Sequence, residues 1–215
     1  MNTTHHTAPL SLSFYPARPA NGGALVTESV RHDWSYEDKY NGWRAIVHVP
    51  TSTMFNRKGE RLSIEEEFEK ALGTLRLTDF TWLDCEALER RHGIGRGSLI
   101  VLDGIGHRKI NDFAGLPYTT RRQMLGGLVS MGELEEPEQC EPNQVYLANA
   151  CIGYGESSSG EPATCRYQEM QDANKRVGCQ FYEGLVAKKP DSIYPKQFRN
   201  PDLTFPFWVK HRWAF

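Results

Sequence analysis

The segment from Glu37 to Arg44, which reads EDKYNGWR, surrounds one lysine with features that suit covalent chemistry on a phosphate. Gly42 follows Lys39 closely and permits a tight turn with close approach of the backbone. A protonated lysine is a poor nucleophile, and it becomes effective when desolvation or cationic neighbours lower its pKa. Arg44 can hold a phosphate group with its planar guanidinium. The alternative interpretation of so short a motif is a lysine in an exposed turn.

Four further segments with charged side chains follow this one along the chain. They are Arg57-Lys58-Gly59, Asp84-Cys85-Glu86, Glu183-Gly184-Leu185-Val186-Ala187-Lys188 and Trp208-Val209-Lys210-His211-Arg212. Taken in order with the first, they resemble the nucleotidyltransferase motifs of ATP-dependent DNA ligases, RNA ligases and mRNA capping enzymes. Because several segments match in the same order, the resemblance is far more specific than any one short motif.

Stretches between these motifs narrow the resemblance to bacterial ATP-dependent DNA ligases, including the ligase domains of end-joining repair enzymes. They are Trp34-Ser35-Tyr36-Glu37, then Leu116-Pro117-Tyr118 with Arg121, Arg122 and Leu125, then Lys188-Lys189-Pro190-Asp191-Ser192 with Tyr194. The resemblance extends from Trp34 to Arg212. It implies an α+β, ATP-grasp-like nucleotidyltransferase (adenylation) domain. It also implies the activity of an ATP-dependent DNA ligase on nicked double-stranded DNA, as in DNA repair or replication.

The resemblance further implies a role for each charged side chain. Lys39 is expected to attack the α-phosphate of ATP, release pyrophosphate, hold AMP as a phosphoramidate and pass it to the 5′-phosphate of nicked DNA. Glu37, through its adjoining backbone, is expected to contact adenine, and Arg44 and Arg57 are expected to contact ribose and phosphate. Glu86 is expected to bind the ribose hydroxyls or a metal ion. Lys188 and Lys210 are expected to act as catalytic cations on the α-phosphate. Glu183 is expected to hold the divalent ion, magnesium or manganese. Phosphoryl transfer needs mainly positioning and cationic stabilisation, which this set supplies.

Three features depart from the pattern of the family. Asn41 stands where the family usually has aspartate, which changes the electrostatic field near Lys39. Leu102 stands at the position of an aromatic residue that stacks on the purine, so it is expected to line the nucleotide site without stacking, a loss of about 1 kcal/mol or more. The chain ends shortly after Arg212, where relatives continue into an OB-fold barrel. We therefore expect no OB-fold domain here, and nick sealing that is slow or that needs a separate OB-fold or other partner protein. An excised domain, a natural minimal ligase and a degenerate relative remain open as explanations.

The composition is that of a folded domain. Of the 215 residues, 39% are hydrophobic and 24% are charged, and the formal net charge is -2. This suffices for one sizeable core, and the basic last third leaves room for a weak, salt-sensitive nucleic-acid surface. No apolar run is long enough for a membrane span and the N-terminal residues lack a signal-peptide pattern, so we expect a cytoplasmic protein without a membrane partner. The cysteines lack the close pairs of zinc sites, which favours reduced, buried thiols.

Strands are expected to hold most of the functional side chains. The predicted strands are Arg44–Val49 and Thr53–Arg57, which form a hairpin, and Phe80–Leu88, Ser98–Ile105, Val145–Ala150, Tyr182–Lys188 and Phe207–Arg212. Trp43 and Trp208 are expected to pack in the core or line the site. Residues 1–24 are expected to form an extended lead-in and residues 25–215 the nucleotidyltransferase domain. The order of elements indicates an α+β fold of antiparallel sheets flanked by helices.

Three helices are predicted between the strands. Ser63–Glu66 is a capping-box sequence followed by apolar residues at helical spacing. A second helix, capped by Thr120, is expected to bury Met124, Leu125, Leu128 and Val129. A third helix is predicted over Pro162–Val177, and surface loops over Glu133–Asn143 and Gly153–Gly160.

Two alternative functions remain open. The first is RNA ligation, or guanylyl transfer as in mRNA capping, and the segments around Glu37 and Lys188–Ser192 favour DNA ligation over it by family likeness. The second is a catalytically weak module that binds nucleotide or nucleic acid, which Asn41, Leu102 and the expected lack of an OB-fold barrel favour.

Overall fold

The computed structural model describes residues 11–16, 18–26, 29–88, 93–127, 132–152, 162–197, 200 and 202–213. Within these ranges the strands are β1 (Tyr15–Pro16), β2 (Arg18–Asn21), β3 (Ser35–Tyr40), β4 (Trp43–His48), β5 (Thr53–Phe55), β6 (Phe80–Leu88), β7 (Ser98–His107), β8 (Glu133–Leu134), β9 (Val145–Ala148), β10 (Ala150–Ile152), β11 (Tyr182–Lys188), β12 (Lys196–Gln197) and β13 (Thr204–Arg212). The helices are α1 (Glu69–Leu75), α2 (Tyr118–Gly126) and α3 (Pro162–Val177). Short 3-10 turns cover Val49–Thr51, Glu65–Phe68, Phe113–Gly115 and Pro137–Gln139.

Two sheets of mixed strand direction form the frame. The larger has the strand order β5-β4-β6-β7-β9-β8 and the smaller β10-β3-β11-β13-β2, while β1 and β12 pair separately. Most neighbours are antiparallel, but β2 runs parallel to β13, and β9 runs parallel to β7 and β8. The predicted α+β class is therefore confirmed. The prediction of antiparallel sheets is wrong, because crossover connections such as the one through α2 bring the next strand back in the same direction.

Most predicted elements are confirmed. The hairpin forms as β4 and β5, the predicted strands match β6, β7, β11 and β13, and the third helix is α3. The predicted strand Val145–Ala150 is divided at Asn149, because the chain passes there from the larger sheet in β9 to the smaller sheet in β10. Tyr15–Pro16 and Arg18–Asn21, within the expected lead-in, form β1 and β2, and β2 is an edge strand of the smaller sheet.

Three local predictions are wrong. The first helix begins as the 3-10 turn Glu65–Phe68, and neither that turn nor α1 has a side-chain N-cap, so the capping box does not form. The second helix starts at Tyr118 with Pro117 before it, so Thr120 lies inside the helix rather than at its cap. The segment Glu133–Asn143 contains β8 and a 3-10 turn, because Leu134 is buried and pairs with β9. Leu128, Val129 and the predicted loop Gly153–Gly160 lie outside the described residues.

Each sheet packs its apolar face against helices. The smaller sheet covers α3, whose inner residues recur at helical spacing as Ala163, Tyr167, Met170 and Ala173. The larger sheet covers α1 and part of α2, through residues that include Phe68, Leu72, Leu75 and Leu125. A third apolar cluster, which includes Phe14, Ile46, Tyr194 and Trp208, joins β4, β7 and β13. The opposite faces of the sheets are thereby left to line the space between them.

A β-bulge in β11 decides which of its side chains face that space. The register with β3 shifts between Tyr182 and Gly184. Tyr182 and Leu185 both pack in the core although an odd number of positions separates them, and strict alternation would forbid this. The bulge therefore turns Glu183 to the other face, on the same side as Lys188. Gly184 makes it possible, with φ of +140° and its backbone against His211.

The described part of the chain contains no helix long and apolar enough to cross a membrane. Cys85 and Cys140 are buried, in agreement with the sequence-based prediction, whereas Cys165 is exposed.

We predict that Gly184→Ala destabilises the domain strongly. A Cβ there would lie 1.9 Å from the carbonyl oxygen of His211 and would require a φ that alanine avoids. The free energy of unfolding should fall by about 3 kcal/mol or more, measured by urea denaturation. The matched change Gly73→Ala in α1, where a Cβ meets only the end of the Arg76 side chain at 3.7 Å, should instead raise it by about 0.5–1 kcal/mol. Equal stability of the two variants would contradict the role assigned to the bulge.

Candidate active site

A cleft of about 240 Å³ opens between the two sheets and gathers every side chain that the sequence predicts for the site. Those lining residues are Glu37, Lys39, Arg44, Arg57, Glu86, Leu102, Glu183, Lys188 and Lys210. They come from β3, β4, β6, β7, β11 and β13 and from the turn after β5. Segments far apart in the sequence therefore share one cavity, as covalent chemistry on a bound ligand requires.

Strand alternation decides which side chains reach the cleft. On β3, Glu37 and Lys39 line the cleft. Asp38, between them, also borders the cleft, but its carboxylate is bound by Arg166 on α3, whose Nε donates a hydrogen bond to it at 3.0 Å. The same alternation on β13 brings three residues to the cleft, namely Trp208, Lys210 and Arg212.

Lys39 lies in an ion pair with Glu183. Its Nζ donates to Oε2 of Glu183, and Nη2 of Arg212 lies 2.8 Å from the same oxygen. The Lys39 and Glu183 side chains are only 18% and 16% exposed, so water screens the pair weakly. Glu183 thus has two cationic partners and can keep one of them if the other leaves.

Glu37 and Lys188 form a second, deeper ion pair. Nζ of Lys188 lies 2.6 Å from Oε2 of Glu37, and each side chain is 2% exposed. The same Nζ donates to the backbone oxygen of Leu102 at 3.0 Å and lies 4.4 Å from the ring centre of Trp208. The other carboxylate oxygen of Glu37 accepts a hydrogen bond from the hydroxyl of Tyr118 at 2.6 Å. Lys188 therefore lines the cleft with its charge already paired inside the protein.

Arg44 is also paired with a carboxylate. Its Nε and Nη2 donate to the two oxygens of Asp84 at 2.9 and 2.6 Å, and the Asp84 side chain is almost fully buried. The hydroxyl of Tyr194 donates to Asp84 at 2.8 Å. Burial lowers the pKa of Arg44, but Asp84, Tyr194 and Glu86 together raise it by more, so the guanidinium stays charged. In this arrangement two of the guanidinium N–H groups that were expected to hold phosphate are directed to Asp84.

Glu86 lies in the cleft beside the turn between β3 and β4. Its Oε1 accepts a hydrogen bond from the backbone N–H of Gly42 at 3.0 Å. Burial raises the pKa of Glu86 to about 7, although Lys39, the Gly42 hydrogen bond and Arg44 oppose the shift. The carboxyl group is therefore divided between its protonated and charged forms near neutral pH.

Lys210 stands beside other cations in the cleft. Burial lowers the pKa of Lys210, and the nearby charges of Arg212, Arg18 and Lys39 lower it further. Arg57 lines the same cleft from the turn after β5. This concentration of basic groups favours an anionic ligand.

Several residues that resemble those of ligases between the motifs form a buried hydrogen-bond network behind the cleft. Arg121 of α2 is fully buried, and its Nε and Nη2 each lie 2.8 Å from an oxygen of Asp103 on β7. Its Nη1 donates to the backbone oxygens of Leu116 and Ser192. Oγ of Ser192 in turn accepts a hydrogen bond from Nε1 of Trp208 at 3.1 Å. These residues brace the walls of the cleft.

Asn41 makes a contact that was not predicted from the sequence, and Trp43 lies outside its expected place. The Nδ2 of Asn41 donates to the backbone oxygen of Gln180 at 2.9 Å, which ties the turn after β3 to the start of β11. An aspartate in its place has no donor for that carbonyl. Trp43 is 41% exposed and does not line the cleft, so the prediction that it packs in the core or the site is wrong. Trp208 is buried and lines the cleft, as predicted.

Several residues that line the cleft were not predicted from the sequence. Asp84 lies next to the predicted motif residue Glu86 on the same face of β6, and Arg212 follows Lys210 on the same face of β13, so strand alternation alone would have indicated both. Arg18 carried no signal, because only the pairing of β2 with β13 brings it to the cleft.

The carboxylates of Glu86 and Glu183 suit a divalent ion that is bound together with a phosphate. No group of three or more His, Cys, Asp or Glu side chains in the described ranges is arranged to hold a metal. Magnesium commonly takes one or two carboxylates and completes its shell with phosphate oxygens and water. The chemistry of this donor set fits such an ion.

Comparison with known proteins identifies the fold. No family model and no curated protein matches the chain. Among solved structures, the ligase domain of M. tuberculosis LigD aligns with a TM-score of 0.58 and 18% identity over 92% of this chain and 59% of that chain. Mycobacterial DNA ligase D complexed with ATP and MES aligns with a TM-score of 0.59 and 18% identity over 93% and 60% of the two chains. Chlorella virus DNA ligase-adenylate aligns with a TM-score of 0.52 and 13% identity over 91% and 67%.

These likenesses show that the chain has the α+β fold of the nucleotidyltransferase domain of ATP-dependent DNA ligases. At this level of identity they concern the fold alone. The chain spans about three fifths of the length of the two mycobacterial structures.

We predict a pH-dependent contribution of Glu86 to stability. The unfolded chain loses this proton near pH 4.5, whereas the folded protein keeps it until about pH 7. Between these values the unfolded state binds fewer protons, so the contribution of Glu86 to the free energy of unfolding falls as pH rises. Glu86→Gln removes this term, and its stability relative to the parent should rise by up to about 3 kcal/mol from pH 4.5 to 7.5 in urea denaturation. A difference that stays constant with pH would contradict this assignment.

We also predict that Asn41→Asp, which introduces the residue usual in the family, destabilises this chain. The change removes the donor to Gln180 and places a carboxylate against its carbonyl oxygen. The free energy of unfolding should fall by about 0.5–1.5 kcal/mol at pH 7. The same change at the exposed Asn111 should alter it by no more than about 0.5 kcal/mol. If both variants were as stable as the parent, the turn would not depend on this hydrogen bond.

Proposed function

We propose that this chain is a ligase-type nucleotidyltransferase domain in which Lys39 takes up AMP from ATP and passes it to the 5′-phosphate of nicked DNA. The observation that carries the proposal is the convergence of the nine side chains named from the sequence on one cleft. The ligase-like fold supports it independently.

The cleft has two chemically different ends, which suit the two parts of a nucleotide. At the base end, Leu102 and Trp208 offer apolar surface around Lys188. At the phosphate end, Lys39, Lys210 and Arg212 surround Glu183. Glu183 and Lys188 are five positions apart on β11, which corresponds to roughly 15 Å along a strand. A purine can therefore lie on the apolar end while its phosphates meet the cations.

The first chemical step needs a neutral amine at Lys39. An ammonium has no lone pair, so Lys39 must release a proton to water before it attacks. Arg212 helps because it shares Oε2 of Glu183 with Lys39 and keeps that carboxylate paired when Lys39 loses its charge. The Lys39 nitrogen then bonds to the α-phosphorus, and the bond to the bridging oxygen breaks with its electrons leaving on pyrophosphate.

Cations around the α-phosphate stabilise the charge that develops during this transfer. Lys210 faces the same end of the cleft as Lys39 and supplies one such charge. Magnesium, when held by Glu86 and Glu183 together with phosphate oxygens, supplies further positive charge to the leaving pyrophosphate. In the second step the phosphoramidate bond breaks and AMP passes to a 5′-phosphate. In the third step a 3′-hydroxyl displaces AMP and seals the nick.

A specific observation also favours a catalytically weak nucleotide-binding module. Lys39, Arg44 and Lys188 are all paired with carboxylates of the protein, so a ligand must compete for them. Leu102 provides no ring on which a purine can stack. A site of this kind can bind a nucleotide without forming a covalent bond to it.

We predict that incubation with magnesium and α-labelled ATP leaves a label on the protein that survives denaturation. Lys39→Ala and Lys39→Arg should carry no label above background, because neither side chain can form the phosphoramidate of a lysine. Lys58→Ala, at an exposed lysine outside the cleft, should label like the parent.

Each other result has a distinct meaning. A label that persists in Lys39→Ala would identify a different nucleophile. Label from GTP rather than ATP would favour a capping-type enzyme, and no label from either would favour the binding module. Nicked DNA, nicked RNA and hybrid duplexes then show which acceptor discharges the labelled protein.

A further inference from the structure

Tyr118, the first residue of α2, reaches the cleft wall although it does not line the cleft. Its side chain is 1% exposed. The hydroxyl donates to Oε1 of Glu37 at 2.6 Å, and the ring centre lies 4.9 Å from Nζ of Lys188. One side chain therefore touches both members of the buried ion pair at the base end.

Glu37 is held between two partners that bind different oxygens. Tyr118 binds Oε1, and Lys188 binds Oε2 at 2.6 Å. With both oxygens occupied, the carboxylate cannot rotate without losing a buried hydrogen bond. Such a loss costs more at a buried group than at an exposed one, because water cannot replace the missing partner. Tyr118 thus fixes the orientation of Glu37, and Glu37 positions the Lys188 ammonium together with the backbone oxygen of Leu102.

A competing partner for Glu37 lies close by. Nη1 of Arg122 is 3.9 Å from Oε1 of Glu37, too far for a hydrogen bond. This nitrogen is buried and has no hydrogen-bond partner among the described residues. If the hydroxyl of Tyr118 were absent, Oε1 of Glu37 would lose its hydrogen bond, and a shift of this oxygen toward Arg122 would move the carboxylate relative to Lys188. The present geometry therefore depends on Tyr118.

We infer that Tyr118 is a positioning residue that, through Glu37, holds the Lys188 ammonium at the base end of the cleft, where it contacts the purine of a bound nucleotide. This inference rests on the proposed function for the identity of the ligand. It also assigns Lys188 to the base rather than to the α-phosphate. The placement of its Nζ against Leu102 and Trp208, five positions along β11 from Glu183, favours the base.

The test is equilibrium binding of α,β-methylene ATP, which carries no cleavable bond between the α- and β-phosphates, measured by calorimetry on the full chain. Tyr118→Phe keeps the ring beside Lys188 and removes only the hydroxyl, and it should raise Kd about tenfold. Tyr182→Phe removes another buried tyrosine hydroxyl. This hydroxyl lies away from the cleft and donates a hydrogen bond to the backbone oxygen of Glu135 at 3.2 Å. It should leave Kd within about twofold of the parent.

A double-mutant cycle shows whether Tyr118 acts through Lys188. Lys188→Met should weaken binding by itself, and Tyr118→Phe should then have no further effect in that background. Tyr182→Phe should stay neutral in both backgrounds. If Lys188→Met does not fold, Glu37→Gln serves as the second member of the cycle. Inorganic triphosphate, which has no base, should bind the parent and Tyr118→Phe equally.

Several results would overturn the inference. They are an unchanged Kd in Tyr118→Phe, effects that multiply in the double variant, an equal loss of triphosphate binding, and no binding of the ATP analogue to the parent chain. Failure of covalent labelling while the analogue still binds would overturn the proposed chemistry at Lys39 and leave the role of Tyr118 intact.

Discussion

The buried ion pair between Glu37 and Lys188 is the interaction on which the cleft depends. Two charges with 2% exposure are stable in a protein interior only when each is paired and further hydrogen-bonded. Their partners come from β7 and α2, so satisfying the pair also fixes how the two sheets face each other. Removal of either charge would leave the other unpaired and out of water, and such a loss typically costs about 3–5 kcal/mol.

Other ion pairs between arginine and aspartate side chains with little exposure surround the cleft. Arg44 is paired with Asp84, Arg121 with Asp103, and Arg166 with Asp38 on β3. These pairs hold cationic side chains in fixed positions before any ligand arrives, which lowers the cost of organising a site. They also oblige an anionic ligand to compete with carboxylates of the protein. The shared carboxylate of Glu183 is the place where such an exchange is simplest, because Arg212 can replace Lys39.

Asn41 and Leu102, which depart from the ligase pattern, each make local contacts in the structure. Asn41 donates a hydrogen bond that aspartate could not, so the residue serves the turn that precedes β4. The backbone oxygen of Leu102 binds Lys188, and its side chain packs against the core of the smaller sheet. Both residues are therefore consistent with a folded, ordered cleft, whatever chemistry the cleft performs.

The sequence by itself predicted strands β4, β5, β6, β7, β11 and β13 and the third helix, because alternation and helical spacing are local properties, and its motif order named nine of the side chains that line the cleft. It did not determine the parallel strand pairs, the bulge at Gly184 that turns Glu183 into the cleft, or the approach of Arg18. Nor did it determine that Lys188 and Arg44 are paired with carboxylates. These features arise from contacts between residues distant in sequence, where burial forces each charge to find a partner, and only the tertiary structure decides which partner is within reach.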